Sequence, residues 1–163
     1  MDWLDIKEFI KDAFGYIVTI VIVLFLVVYV VTLQAVVGPS MKPTYNNKDL
    51  LLLNKTYRYI GNIKRGDIIA VEHEENNIIK RVIGLPGEKI EYKNHKIYIN
   101  DKLLKEDFKD SSDNENLLIE EIPSDKYFIL GDNRNNSLDS RKIGLIEKKD
   151  IVGRVMFRLW PLK

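Results

Sequence analysis

The chain has 163 residues, with 25 Lys and Arg against 24 Asp and Glu, a formal net charge of +1 and no cysteine. So balanced a charge lacks the one-sided basic concentration of nucleic-acid binders, so no nucleic-acid partner is expected. The missing thiols exclude disulfides, thiolate zinc sites and a cysteine nucleophile, and the residues beyond the apolar N-terminal stretch suffice for one domain with its own core but not two.

Residues 1–13 read as a short amphipathic lead-in, with Trp3, Leu4, Ile6, Phe9 and Ile10 available to a membrane surface. From Phe14 to Val37 no side chain is charged. As a helix, that stretch would be about 36 Å long, enough to cross a hydrocarbon core of about 30 Å with some tilt. A cleaved secretory signal starts basic and is shorter, whereas the first twelve residues here hold four acids and two lysines. A surface helix of a soluble domain would show a periodic polar face, and this run has none. The expectation is a transmembrane anchor over 14–37 and a single domain over 38–163. Lys7 and Lys11 on one side compete with Lys42, Lys48 and Lys55 on the other, so charge does not fix the orientation.

Beyond the anchor, Asp49–Lys55, Asp67–Glu72, Asn77–Ile83, Lys89–Tyr92, Lys96–Ile99, Lys126–Leu130 and Ile151–Trp160 are short β-branched or aromatic runs. Gly, Pro, Asn and Asp separate them, the spacing of an all-β domain. Tyr92 to Ile99 reads as a hairpin with a polar turn, and Gly84-Leu85-Pro86-Gly87 as a turn between strands. Asn100 to Asp125, most polar between Lys109 and Asn116, reads as a flexible surface loop.

Ser40, held in Gly38-Pro39-Ser40-Met41-Lys42-Pro43 where the chain leaves the anchor, is a candidate nucleophile that needs a neighbouring base. His73 lies in an acidic turn and His95 at a hairpin tip, positions better suited to solvated loop residues than to a base. Lys80 is different, because alternation along Asn77–Ile83 puts it on one face with Ile78 and Val82. Burial there would favour the free amine; the alternative is a stem packed on the sheet with its head reaching water. Arg81 stays protonated and cannot serve. The polar run Gly131 to Arg141 offers Ser137 as an orienting hydroxyl, and its arginines and aspartates suggest ion pairs that stiffen the loop. It fails as a calcium loop, with Arg134 and Ser137 where an oxygen ligand and a glycine are needed. Asn135-Asn136-Ser137 and Asn54-Lys55-Thr56 match the glycosylation pattern, a short and unspecific one.

Four boxes in order after one N-terminal span resemble the bacterial type I signal peptidases, in their compact Gram-positive form. They are Ser40 to Thr44, Lys64 to Ile69, Lys80 to Gly87, and Gly131 to Arg134 with Ser137, Asp139, Ser140 and Arg141. The resemblance implies a mixed, largely antiparallel β fold and a serine endopeptidase that removes signal peptides from exported preproteins after small residues. It also implies Ser40 as nucleophile, Lys80 as general base, Ser137 as the hydroxyl bonded to the lysine, and Asp139 with Arg141 as a supporting pair. Val36, Val37, Met41 and Ile79 flank the two catalytic positions and are the expected substrate-pocket residues. The Ser40 N–H would meet the oxyanion, with the second donor open because Gly38 stands where some relatives have serine. No metal or cofactor is required. The implied partners are signal peptides, the lipid bilayer and the secretion translocon, with the N-terminus cytoplasmic and the β domain outside. The competing expectations are a Ser/Lys protease dedicated to one substrate and a non-catalytic anchored peptide-binding module.

Overall fold

A computed structural model describes residues 3–106, 108 and 116–161. Helix α1 runs from Trp3 to Phe25 and continues as a π-helical turn over Leu26–Val30. From Trp3 onward, the expected lead-in is thus continuous with the apolar helix. The expected helix to Val37 also stops early, because Val31–Ala35 is a strand, β1, that pairs with β2 (Leu50–Asn54). An uncharged run does not by itself distinguish an apolar helix from an apolar strand, and here a hydrogen-bonded ladder claims its end. The segment Ile6–Val30 is apolar enough to cross a bilayer, and none of its residues is buried against the rest of the chain. Its uncharged helical part, Ala13 to Val30, rises about 27 Å, close to the thickness of a hydrocarbon core.

The β domain follows. After β2 come a single helical turn α2 (Tyr57–Ile60), the hairpin β3 (Ile68–His73) and β4 (Asn76–Gly84), and the hairpin β5 (Ile90–Lys93) and β6 (Lys96–Ile99). Then come β7 (Lys102–Leu103), β8 (Leu117–Ile119), β9 (Lys126–Leu130), the short α3 (Ser140–Ile143), β10 (Ile146–Glu147) and β11 (Ile151–Trp160). The seven strand runs expected from sequence appear within a residue or so of their limits, and the short β1, β7, β8 and β10 add to them. The most polar part of the expected loop, 109–115, lies outside the described residues.

Seven strands form one sheet in the order β1-β2-β11-β3-β4-β9-β10, and four form a second in the order β7-β6-β5-β8. Every pairing among the described residues is antiparallel, in keeping with the largely antiparallel β domain expected. One apolar cluster packs Val36, Met41, Leu51, Leu53, Ala70, Ile79 and Val155. A second gathers Ile69, Val71, Val82, Ile129 and Ile151. The third joins the sheets, setting Ile83, Phe128 and Leu130 of the large one against Ile90, Tyr92, Ile97 and Ile99 of the small one.

At this junction β4 ends on Gly84, where an added Cβ would lie 2.6 Å from Ile122 Cδ1, 2.9 Å from Ile90 Cδ1 and 2.9 Å from Phe128 Cβ. Only a residue without a side chain lets the sheets close. Gly84→Ala is expected to destabilise the domain by about 1–3 kcal/mol through overpacking, read as a lowered urea midpoint in detergent; an unchanged midpoint would show that the junction is loosely packed.

Candidate active site

Ser40 sits in the connection from β1 to β2. Pairing continues past β1, with Val36 N bonded to Asp49 O and Lys48 N to Val36 O, so the serine segment leaves a fixed base. Two further bonds shape it, Lys42 N to Pro39 O at 3.0 Å and Gly38 N to Asn47 Oδ1 at 3.0 Å, with Gly38 at φ +81°.

Lys80 occupies the middle of β4, an interior strand between β3 and β9, and is 3 % exposed. Its strand neighbours Ile78 and Val82 and its register partner Ile69 all belong to or pack against one apolar cluster, so water is kept from the stem. Its Nζ lies 2.9 Å from Ser40 Oγ and 2.9 Å from Ile79 O. An ammonium carries three N–H donors, yet only these two acceptors are within reach among the described residues. The free amine suits the site better: it donates to Ile79 O and turns its lone pair to the serine hydroxyl. Burial accordingly lowers the pKa of Lys80 from 10.5 to about 8, against the opposing pull of Asp139 and Asp132.

Those two acids are paired off. Asp132 is gripped by Arg81, with Nε to Oδ1 at 2.7 Å and Nη2 to Oδ2 at 2.7 Å, and also receives the Thr44 hydroxyl. Asp139 caps α3, accepts the Gly131 N–H at 3.1 Å, and is held by Arg141 Nε and Nη2, each at 2.9 Å. Each arginine neutralises a carboxylate that would otherwise favour the ammonium, so the pairs protect the lowered pKa as well as stiffening the loop. Only Asp139–Arg141 is internal to the polar run; the Asp132 partner comes from β4.

The polar loop also grips the serine segment. Asn133 N donates to Ser40 O at 2.9 Å and Asn133 Nδ2 to Pro39 O at 3.2 Å. Gly131 allows the approach, since a Cβ there would lie 2.6 Å from Ser40 O and 2.3 Å from Ser137 Oγ. Arg134, almost fully buried, donates to Gly131 O and forms a two-bonded pair with Glu106, and Phe108 stacks between the guanidinium groups of Arg81 and Arg134 at 5.3 and 5.4 Å. Sequence reading missed Thr44, Asn133, Glu106 and Phe108. Thr44 and Asn133 stand inside recognisable boxes, whereas Glu106 and Phe108 carry no local signal.

Several expected site residues fall elsewhere or differ in role. Ser137 is buried beside the Ser40 backbone, but its Oγ has no hydrogen-bond partner among the described residues, so the expected bond to Lys80 is not made. Val36, Met41 and Ile79 are buried together in one cluster, and Met41 has no exposed surface; only Val37, 80 % exposed, is open to a ligand. Three of the four expected pocket residues are thus packed into the interior, because the apolar side chains close on one another. His73 lies at the turn end of the β3–β4 hairpin and His95 at an exposed hairpin tip, and neither contacts Ser40 or Lys80. No cluster of possible metal ligands occurs among the described residues.

Comparison with known proteins gives a consistent answer. The family described as signal peptidase, peptidase S26, matches residues 6–160. Signal peptidase I P of Bacillus subtilis subsp. natto is 46% identical over 138 residues, 77% of this chain and 75% of that protein. Signal peptidase I S of Bacillus subtilis strain 168 is 35% identical over 167 residues, 95% of this chain and 91% of that protein. A crystal structure of a signal peptidase I from Enterococcus faecalis V583 superposes with a TM-score of 0.50 at 32% identity, covering 57% of this chain and 96% of that one.

The buried amine has a thermodynamic consequence. With a folded-state pKa of about 8 against 10.5 for a free lysine, the unfolded chain holds the extra proton between those values, so stability rises with pH across that window. The cost of the buried ammonium is fully present below pH 8. The shift corresponds to on the order of 3 kcal/mol. Urea unfolding of wild type and Lys80→Met in detergent should therefore show wild type gaining by that order, relative to the variant, as pH rises through the window. Parallel pH profiles would mean that Lys80 titrates as an ordinary lysine.

Proposed function

This chain belongs to the signal peptidase family, peptidase S26, and from that premise we propose that it is a membrane-anchored endopeptidase using Ser40 and Lys80 as a catalytic dyad to cut signal peptides from exported preproteins after small residues. The observation that carries the reading is the 2.9 Å approach of a buried Lys80 amine to the Ser40 hydroxyl.

In the reaction, the Lys80 lone pair takes the Ser40 proton as Oγ attacks the scissile carbonyl. The ammonium so formed protonates the leaving amine, and the C–N bond breaks to leave an acyl-serine. Lys80, again an amine, deprotonates the water that hydrolyses the ester. The Ser40 N–H receives the oxyanion. Supporting this, Pro39 O is tied by Lys42 N and Asn133 Nδ2, and in a trans peptide the N–H points opposite to the carbonyl. Ser137 is assigned to steady Lys80 once substrate excludes water, and Asp139 with Arg141 to hold the loop that carries it.

The cleavable segment lies extended beside Val37 and the free edge of β1, with main-chain bonds giving affinity and the floor above Val36, Met41 and Ile79 admitting small side chains. The anchor is the helix through Val30, the catalytic domain begins at β1, and the N-terminus is cytoplasmic with the β domain outside. Enzyme and preprotein then share one thin layer of bilayer, which raises their effective concentration, and the translocon is the neighbouring partner that delivers the substrate.

Incubating the purified chain with a preprotein, and locating the cut by mass spectrometry, tests the assignment. Ser40→Ala, Lys80→Ala and Lys80→Arg should each lose at least about 10³-fold in kcat/KM, since arginine keeps the charge but cannot release the proton. Wild-type kcat/KM should fall tenfold per pH unit below about 8 as Lys80 takes up its proton. Wild-type turnover in Lys80→Arg would rule out the base.

A further inference from the structure

The membrane-proximal end of the β domain carries features that the peptidase reaction does not use. Lys55, which follows β2, is tied to the end of the span by Lys55 N to Val30 O at 2.8 Å and Lys55 Nζ to Val28 O at 2.5 Å. Helix α2 starts two residues later. Fully extended chain covers about 3.8 Å per residue and helix about 1.5 Å, so Tyr59 and Ile60 lie within about 12 Å of Lys55, the residue bonded to the end of the span, whichever way the chain turns. A polar headgroup layer is about 5–8 Å deep on each side of the hydrocarbon, a depth that a helical turn starting two residues after Lys55 can reach.

Composition there suits an interface. Tyr57 turns inward, its hydroxyl bonded to Asp67 and Asn62 O, while Tyr59 is 69 % and Ile60 85 % exposed. Next to them opens a cleft of about 700 Å³ whose lining includes Arg58, Lys126, Lys148 and Lys149 against Asp125 and Glu147. Glu147 is shared by Lys149 at 2.7 Å and Lys126 at 3.7 Å, and Arg58 is fixed over the rim by Lys149 O and Ile151 O at 3.1 and 3.2 Å. Lys148 has no acidic partner among the described residues. The cleft therefore keeps a positive excess, beside an aromatic and an aliphatic side chain of the kind that settles at headgroup depth.

We propose that α2 and the adjoining Arg58/Lys126/Lys148/Lys149 cleft form a docking site for the phosphate headgroup of an anionic phospholipid in the bilayer crossed by α1. Tyr59 and Ile60 enter the interface, and the lysines meet the phosphate. The site would fix the tilt of the β domain, and so the height of Ser40 above the lipid. This inference rests on the reading of α1 as a transmembrane anchor.

Amide hydrogen exchange of the full chain in lipid nanodiscs tests it, comparing phosphatidylcholine discs with discs that also contain phosphatidylglycerol. Exchange over 56–61 and 147–150 should slow by about thirtyfold in the anionic discs, the effect expected of two lysines near a charged surface, and added salt should reverse it. Lys148→Glu with Lys149→Glu should abolish the slowing while hydrolysis of a short soluble peptide substrate stays at the wild-type rate, which also shows that the variant is folded. Equal exchange in both discs, or slowing that persists in the double variant, would overturn the headgroup site and leave the anchor standing. Failure of the chain to enter either disc would overturn both.

Discussion

A lysine amine is a base near neutral pH only where water cannot reach it, and most of this domain can be read as the means of keeping Lys80 dry while leaving Ser40 within 2.9 Å. A surface lysine would hold its proton and contribute nothing. An interior position on a central strand, with Ile69, Ile78 and Val82 around the stem, removes the solvation that stabilises an ammonium. Because folding must bear that loss, the site is a local weakness in a domain that owes its stability to its three apolar clusters.

Charge near such an amine has to be managed as carefully as water. Asp132 and Asp139 both favour the ammonium, and each is matched by an arginine, Arg81 from the next position on β4 and Arg141 from the start of α3. The same groups do mechanical work. Gly131 and Asn133 bring the loop against the backbone of Ser40, Arg134 fastens that loop to Glu106, and Phe108 closes the stack over both arginines. Ser40, Lys80 and the polar loop come from segments about forty to ninety residues apart, and the antiparallel sheet is what brings them together.

Much of this was legible in the sequence because it rests on local rules. Period-two alternation placed Lys80 on an apolar face, turn residues separated the strands almost where they occur, and charge-free composition marked the N-terminal apolar helix. What failed was whatever depends on distant partners. Val31–Ala35 reads as more helix until β2 is there to pair with it, and Met41 and Ile79 read as pocket residues until the cluster that buries them is assembled. Glu106 and Phe108, in a polar stretch without periodicity, gain meaning only when two distant arginines arrive beside them. Ser137 illustrates a further limit: its burial next to Ser40 follows from the loop, yet its hydroxyl has no partner among the described residues.

The central claim, that its surroundings lower the pKa of this lysine so that the amine becomes available near pH 8, is most directly tested by titrating isotope-labelled lysine side chains of the wild-type protein by NMR, with the Lys80 signal identified by its loss in Lys80→Arg. The account predicts a half-titration near pH 8, well apart from the other lysines. A Lys80 signal that titrates with them, near 10.5, would contradict it.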